Sequence, residues 1–103
     1  MIKHITTVQE YEASIAQGTV LVDFYADWCG PCQLLAPVIE DVDAKHLAEG
    51  VTFVKVNVDN LPEIAQRYGI QSIPTLIIFK EGKISGTSLG YLNKNQLLKF
   101  LEK

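Results

Sequence analysis

Long apolar runs are absent from this sequence. The longest, around residues 20–25 and 75–79, fall far short of the roughly 20 residues that a membrane helix needs, so no span across a bilayer is expected. A basic excess is absent as well. Nine Lys and Arg face twelve Asp and Glu, a net charge of −3, which supplies no global positive field to hold a phosphate backbone and sets nucleic acid aside as a primary partner. The first seven residues carry one Lys and no apolar block behind it, so no secretory signal is read there and the cytoplasm is the expected location. Cysteine is scarce too, with two in the chain, which excludes the many-bridge framework of a small secreted scaffold. No internal repeat, low-complexity tract or charge block interrupts the sequence.

What is present is an ordinary globular composition, 48% hydrophobic and 20% charged over 103 residues. That suffices for one core and is too short for two, so residues 1–103 are expected to form a single domain, and a monomer. Residues 2–5 read as a short strand. Thr7, Val8, Gln9 and Glu10 have the Ser/Thr-x-x-Glu form of a capping box, and Gly18 stands where a helix stops, which places a first helix over 8–17. Val20, Leu21, Val22, Phe24 and Tyr25 surround a lone Asp23, so both alternating faces are apolar except for one carboxylate, as in a central strand buried on both sides. Leu35, Val38, Ile39 and Val42 recur at three- and four-residue spacing on a helix ending near Gly50, and Pro37 inside it predicts a kink. Residues 52–58 alternate and are rich in β-branched side chains, and 62–68 with Gly69 behind them read as a short helix. Residues 75–79 and 83–89 then form a hairpin through Glu81 and Gly82, and Asn93 to Gln96 offer a further helix cap before Leu97, Leu98, Phe100 and Leu101. The order βαβαβα followed by ββα predicts an α/β fold, a mixed sheet with helices on both faces.

Both cysteines fall in Trp28-Cys29-Gly30-Pro31-Cys32, where two thiols separated by two residues can close a disulfide within one helical turn. Structural zinc needs four ligands, and no second cysteine pair exists, while His4 and His46 are distant in sequence. Haem attachment needs His directly after the second cysteine, and residue 33 is Gln. A purely structural bridge would contribute only about 2 kcal/mol for so short a loop. The favoured reading is a reversible couple of dithiol and disulfide, because the pair lies between a buried strand and a helix of a βαβ unit. Cys29, at the mouth of the helix, faces unpaired N–H groups and the positive end of the dipole, which stabilise a thiolate and lower its pKa below the ordinary value of about 8.5. Cys29 is therefore the better nucleophile and Cys32, one turn in, the shielded resolving thiol. Gly30 and Pro31 carry no charge and stabilise the thiolate less than a His would, so the couple is expected to be reducing. Asp23, alone on its apolar strand, should have a pKa raised by desolvation, and it reads either as a hydrogen-bonded structural acid or as a proton carrier. Trp28 reads as core packing or as a partly exposed flank of the site, its place at the strand-to-helix turn favouring exposure.

The segment Val22-Asp23-Phe24-Tyr25-Ala26-Asp27-Trp28-Cys29-Gly30-Pro31-Cys32 closely resembles the active-site segment of the thioredoxin family. Val56-Asn57-Val58-Asp59, Tyr68-Gly69-Ile70 leading to Ser72-Ile73-Pro74-Thr75, and Phe79-Lys80-Glu81-Gly82 fall at that family's spacings, so the resemblance covers essentially the whole chain. It implies the thioredoxin fold, with a central mixed five-stranded sheet and helices on both faces. It also implies a protein disulfide reductase that works through a mixed disulfide, without a bound cofactor. Two partners follow from it: disulfide-containing client proteins, and a thioredoxin reductase that restores the dithiol. By the resemblance Cys29 is the attacking thiolate, Cys32 resolves, Asp23 helps deprotonate Cys32, Lys55 lies near that carboxylate, and Trp28 flanks the site. Sequence alone gives any Xaa-Pro bond only about a 5–6% chance of being cis. The resemblance implies that Ile73–Pro74 is cis and lies against the active site, with Ile73 offering backbone groups to an extended substrate and Gly90 at the rim. Two positions depart from the pattern. Tyr25 stands where many members carry a second Trp, and Gln33 where several carry a basic residue, which bears on potential, fluorescence and choice of partner.

Two further functions compete with the reductase. A docking module with incidental thiols would survive replacement of both cysteines by serine, whereas reductase support would not. An isomerase or oxidant on the same fold is disfavoured by the uncharged Gly30-Pro31 pair.

Overall fold

The structure, a computed structural model, describes residues 2–103. Five strands and four helices follow one another as β1 (Ile2–His4), α1 (Val8–Ile15), β2 (Thr19–Tyr25), α2 (Gly30–Ala44), β3 (Val51–Asn57), α3 (Pro62–Arg67), β4 (Thr75–Lys80), β5 (Lys83–Leu89) and α4 (Lys94–Phe100). They form one sheet in the order β1-β3-β2-β4-β5. β1, β3 and β2 run parallel, and β4 is antiparallel to both β2 and β5. The mixed α/β sheet expected from the element order is the one observed.

β2 is central because both of its faces are apolar. Val20, Val22 and Phe24 point to one side, where they pack with Tyr11 of α1 and Ile64 of α3. Leu21 points to the other, where it meets Leu35, Ile39 and Val42 of α2 and Leu97 and Phe100 of α4. Each such fully buried side chain contributes roughly 1.5–3 kcal/mol relative to an exposed one. The period of two along a strand then places Asp23 on the α2 and α4 side, between Leu21 and Tyr25, and it is as deeply buried as its apolar neighbours.

The element ends show where local chemistry departs from expectation. In the Thr7–Glu10 capping box only one arm forms as anticipated. The Thr7 hydroxyl accepts from the Glu10 N–H at 3.0 Å, but the Glu10 carboxylate accepts from the N–H of Thr6 at 2.7 Å, one residue earlier than the reciprocal bond. The box at Asn93 and Gln96 is fully reciprocal. α1 stops at Ile15, before the expected residue 17, and Gly18 at φ 73° turns the chain into β2. α2 runs on through Pro37 but ends at Ala44, well short of Gly50. There His46 takes the left-handed conformation at φ 53°, the Leu47 N–H bonds to the Val42 carbonyl and the His46 N–H to that of Asp43, which is a Schellman motif with histidine in the place glycine usually holds. Gly69 closes α3 in the same manner, its N–H bonding to the Gln66 carbonyl and that of Ile70 to Ala65. Glu81 and Gly82, both at positive φ, make the hairpin turn.

Candidate active site

β2 ends at Tyr25, and four residues later Cys29 is the N-cap of α2. Its sulfur accepts the Cys32 N–H at 3.2 Å, one of the donors that the first helical turn leaves without an intrahelical partner. Pro31 sits in that turn, where a missing N–H costs nothing. Cys29 and Cys32 are joined in a disulfide, with their Cα atoms 5.2 Å apart. Cys29 is only 4% exposed, close to the 3% of Cys32, so the thiol expected at the open mouth of the helix is almost as covered as its partner. Tyr25, Ala26, Val58 and Ile73 supply the cover. Gly30 and Pro31, between the two sulfurs, are exposed.

The opposite wall comes from the start of β4. The Ile73–Pro74 bond is cis, Pro74 is buried and Ile73 half-buried, and the Ile73 carbonyl oxygen lies 3.7 Å from the Cys29 sulfur. Gly90 donates its N–H to the Pro74 carbonyl at 2.8 Å. Its φ of 88° is in the left-handed region, and a Cβ there would meet nothing within 4 Å, so this rim is open. Trp28 is 71% exposed and is no core residue. Its indole N–H donates to the Asp59 carboxylate at 2.8 Å, which holds the ring beside the loop after β3. Asp59 thereby joins the site, although nothing in its spacing, 31 residues from Trp28, pointed to it.

Beneath the disulfide, the parallel register pairs Asp23 of β2 with Lys55 of β3. Asp23 is 1% exposed and neither of its carboxylate oxygens has a hydrogen-bond partner among the described residues. The Lys55 ammonium is 3.9 Å from Asp23 Oδ2, too far for a good hydrogen bond and near enough for Coulombic attraction. Burial raises the carboxyl pKa from 3.8 to about 6, with Lys55 opposing that rise. A cleft of about 180 Å³, lined by Tyr25, Ala26, Asp27, Cys32, Gln33, Ala36 and Lys55, connects the second cysteine with the lysine. Gln33, one of the two departures from the family pattern, donates from Nε2 to the Asp27 carbonyl at 2.7 Å and so ties α2 to the loop before it. A surface groove of about 420 Å³ beside Tyr68, Ile70 and Leu89 is lined by no thiol.

A bonded cysteine pair capping the helix that follows the central strand, above a buried carboxylate that faces a lysine, defines a thiol-disulfide oxidoreductase built on a five-stranded mixed sheet. A family model described as Thioredoxin matches residues 2–103. The chain is 43% identical over 99 residues to the thioredoxin of Chlamydia trachomatis serovar D, covering 96% of this chain and 95% of that one. To the thioredoxin of Bacillus subtilis strain 168 it is 41% identical over 97 residues, covering 94% and 92%. Among solved structures, the Malassezia sympodialis thioredoxin Mala s 13 superimposes with a TM-score of 0.90 at 31% identity, over 99% of this chain and 89% of that one. The oxidised Plasmodium falciparum thioredoxin does so with a TM-score of 0.87 at 34% identity, over 99% and 96%. The chain belongs to the thioredoxin family. It is a protein disulfide reductase, and disulfide-containing proteins are its clients. No helix among the described residues is long and apolar enough to cross a membrane.

Proposed function

We propose that Cys29 and Cys32 divide the reaction between them. The Cys29 thiolate attacks one sulfur of a client disulfide, forming a mixed disulfide and releasing the other client sulfur as a thiolate. Cys32 then loses its proton towards the Asp23 carboxylate and attacks the Cys29 sulfur, releasing the second client thiolate. The client gains two electrons and the protein is left with the Cys29–Cys32 disulfide. A thioredoxin reductase returns the two electrons, and the chain works as a monomeric single domain in the cytoplasm. Trp28, Ile73, Pro74 and Gly90 form the surface that receives the client, Gly30 and Pro31 keep the thiolate free of added charge, and Lys55 tunes Asp23.

The observation that carries this division is the capping geometry. Cys29 Sγ already accepts the Cys32 N–H at 3.2 Å, a bond that favours the charged thiolate, and the Ile73 carbonyl beside it at 3.7 Å gives an extended client a backbone acceptor. Two cysteine variants test it against a disulfide-bonded protein. Cys32→Ser should accumulate a mixed disulfide through Cys29, and Cys29→Ser should neither trap nor reduce the client. Trapping through Cys32 in Cys29→Ser would reverse the assignment. The proton role of Asp23 is tested by Asp23→Asn, which should slow resolution of the mixed disulfide; an unchanged rate removes that role.

A further inference from the structure

We propose that Tyr25 is a positioning residue, whose ring holds the Lys55 ammonium over the Asp23 carboxylate at the wall of the cleft that reaches Cys32. The Lys55 nitrogen lies 4.3 Å from the centroid of the Tyr25 ring and 3.9 Å from Asp23 Oδ2, so it sits between an aromatic face and a carboxylate. The attraction between a cation and the ring's negative face is strongest where water is excluded, and the Lys55 side chain is only 12% exposed. The carboxylate does not hold the ammonium by a hydrogen bond, since both of its oxygens are unpartnered. The ring is what keeps a strongly hydrated group from swinging out along the cleft into water.

The strand register builds this arrangement. Asp23 and Tyr25 share one face of β2, and their partners on β3 are Lys55 and Asn57, so Lys55 lies diagonally across from Tyr25, within reach of a long side chain and a ring. Among the described residues, the other groups around Asp23 supply no second cation on that face close to it. On β2 and the loop after it stand Asp23, Tyr25 and Asp27, and on β3 Lys55 and the neutral Asn57. On β1, His4 is the exposed register partner of Lys55. On β4 the partner of Asp23 is the apolar Leu76, and α2 contributes Cys32 and Gln33 across the cleft. Lys55 opposes the upward push of burial on Asp23, and its location is therefore what Tyr25 controls.

The inference deepens the proposed acid/base role of Asp23, and its test separates the two. The Asp23 carboxyl is titrated by NMR in the oxidised protein, where no thiol titrates. Tyr25→Leu should raise its pKa by roughly 0.5–1, as the ammonium leaves for water. Tyr25→Phe, which keeps the ring, should leave it unchanged, and Tyr25→Leu should add no shift in a Lys55→Met background. A Tyr25→Leu pKa that is unchanged or lower, a rise of equal size in Tyr25→Phe, or a full shift without Lys55 would each overturn the proposal. Should Tyr25→Leu fail to fold, the unmodified protein decides: the Lys55 ε-methylene protons should be shifted upfield by the ring, and ordinary lysine positions refute the contact. These readouts do not depend on turnover. Slow resolution in Asp23→Asn with no Tyr25 effect sinks Tyr25 alone, while an unchanged rate in Asp23→Asn sinks the acid/base role whatever Tyr25 does.

Discussion

Replacing Asp23 by Asn should make the protein more stable at neutral pH and scarcely change it in acid. The carboxyl has a pKa of about 6 in the folded state, raised by burial and held back by Lys55; in the unfolded chain its value is ordinary, near 3.9. An acid whose folded pKa is raised binds more protons when native, so the stability present below pH 4 is lost as pH rises through 6. The loss amounts to roughly 3 kcal/mol and is complete above about pH 7. Below pH 4 wild type carries a neutral carboxyl that is nearly isosteric with the amide and equally unpartnered, so the two proteins should match. Urea denaturation of the oxidised forms at intervals from pH 4 to 8 makes the measurement without interference from thiols. The difference should grow between pH 4 and 6 and then level, reaching roughly 1–3 M in urea midpoint or on the order of 10–20 °C in Tm. A difference that is flat with pH, or that grows on acidification, refutes the assignment of a raised pKa to Asp23.

Three further outcomes follow from the same geometry. Lys55→Met removes the charge that opposes burial at Asp23, so it should destabilise by about 1–3 kcal/mol at pH 8 and by much less at pH 4, read from the same urea series; an equal cost at both pH values would place the role of Lys55 in packing alone. Pro31→His puts a cation in the first turn beside the Cys29 sulfur and should stabilise the thiolate by roughly 1–2 kcal/mol, raising the potential of the couple by about 20–45 mV in defined redox buffers; an unmoved potential would refute the argument from the uncharged Gly30-Pro31 pair. Gly90→Ala should cost about 1–2 kcal/mol for its left-handed backbone alone, while Gly30→Ala, at ordinary φ with open space around it, should be within about 0.5 kcal/mol of wild type. Thermal or urea melts separate the two glycines, and equal effects would remove the backbone explanation.

The parts of the fold that were legible in the sequence are those fixed by local pattern. β2 declares itself central because Val20, Leu21, Val22 and Phe24 leave no polar face, and the observed split between the α1/α3 side and the α2/α4 side follows from alternation alone. The end of α2 was not legible. Its apolar stripe stops at Val42, which agrees with the observed end at Ala44, but the stop is made by His46 at positive φ, and nothing in the sequence marks a histidine for that conformation. Glycine at residue 50 was the visible signal and lies past the real one. The same division holds within the site. Cys29, Cys32 and Asp23 stand close together along the chain and could be read as chemistry there, whereas the indole bond to Asp59 and the Tyr25 ring over Lys55 exist only once strand register has brought distant segments side by side.

That register also explains why a carboxylate without a hydrogen bond is tolerated in the middle of the sheet, because it sets Lys55 beside Asp23. Proton transfer from a thiol of ordinary pKa, about 8.5, to a carboxylate of about 3.9 is uphill by more than four powers of ten. Raising the acid to about 6 makes the transfer roughly a hundredfold more favourable, while still leaving about nine-tenths of the groups ionised at pH 7 and ready to accept. A carboxylate given full hydrogen bonds, or a lysine drawn into direct contact, would hold the pKa low and return the site to the poor base. A carboxylate with no lysine nearby would rise further and be protonated before Cys32 could use it. The 3.9 Å separation between Lys55 and Asp23 lies between those limits. In the proposed mechanism it should therefore appear as a limb near pH 6 in the rate at which the mixed disulfide is resolved, measured by rapid acid quench of a trapped client. Asp23→Asn should flatten that limb, and Lys55→Met should move it to higher pH. A limb that stays in place in both variants would show that some other group takes the Cys32 proton.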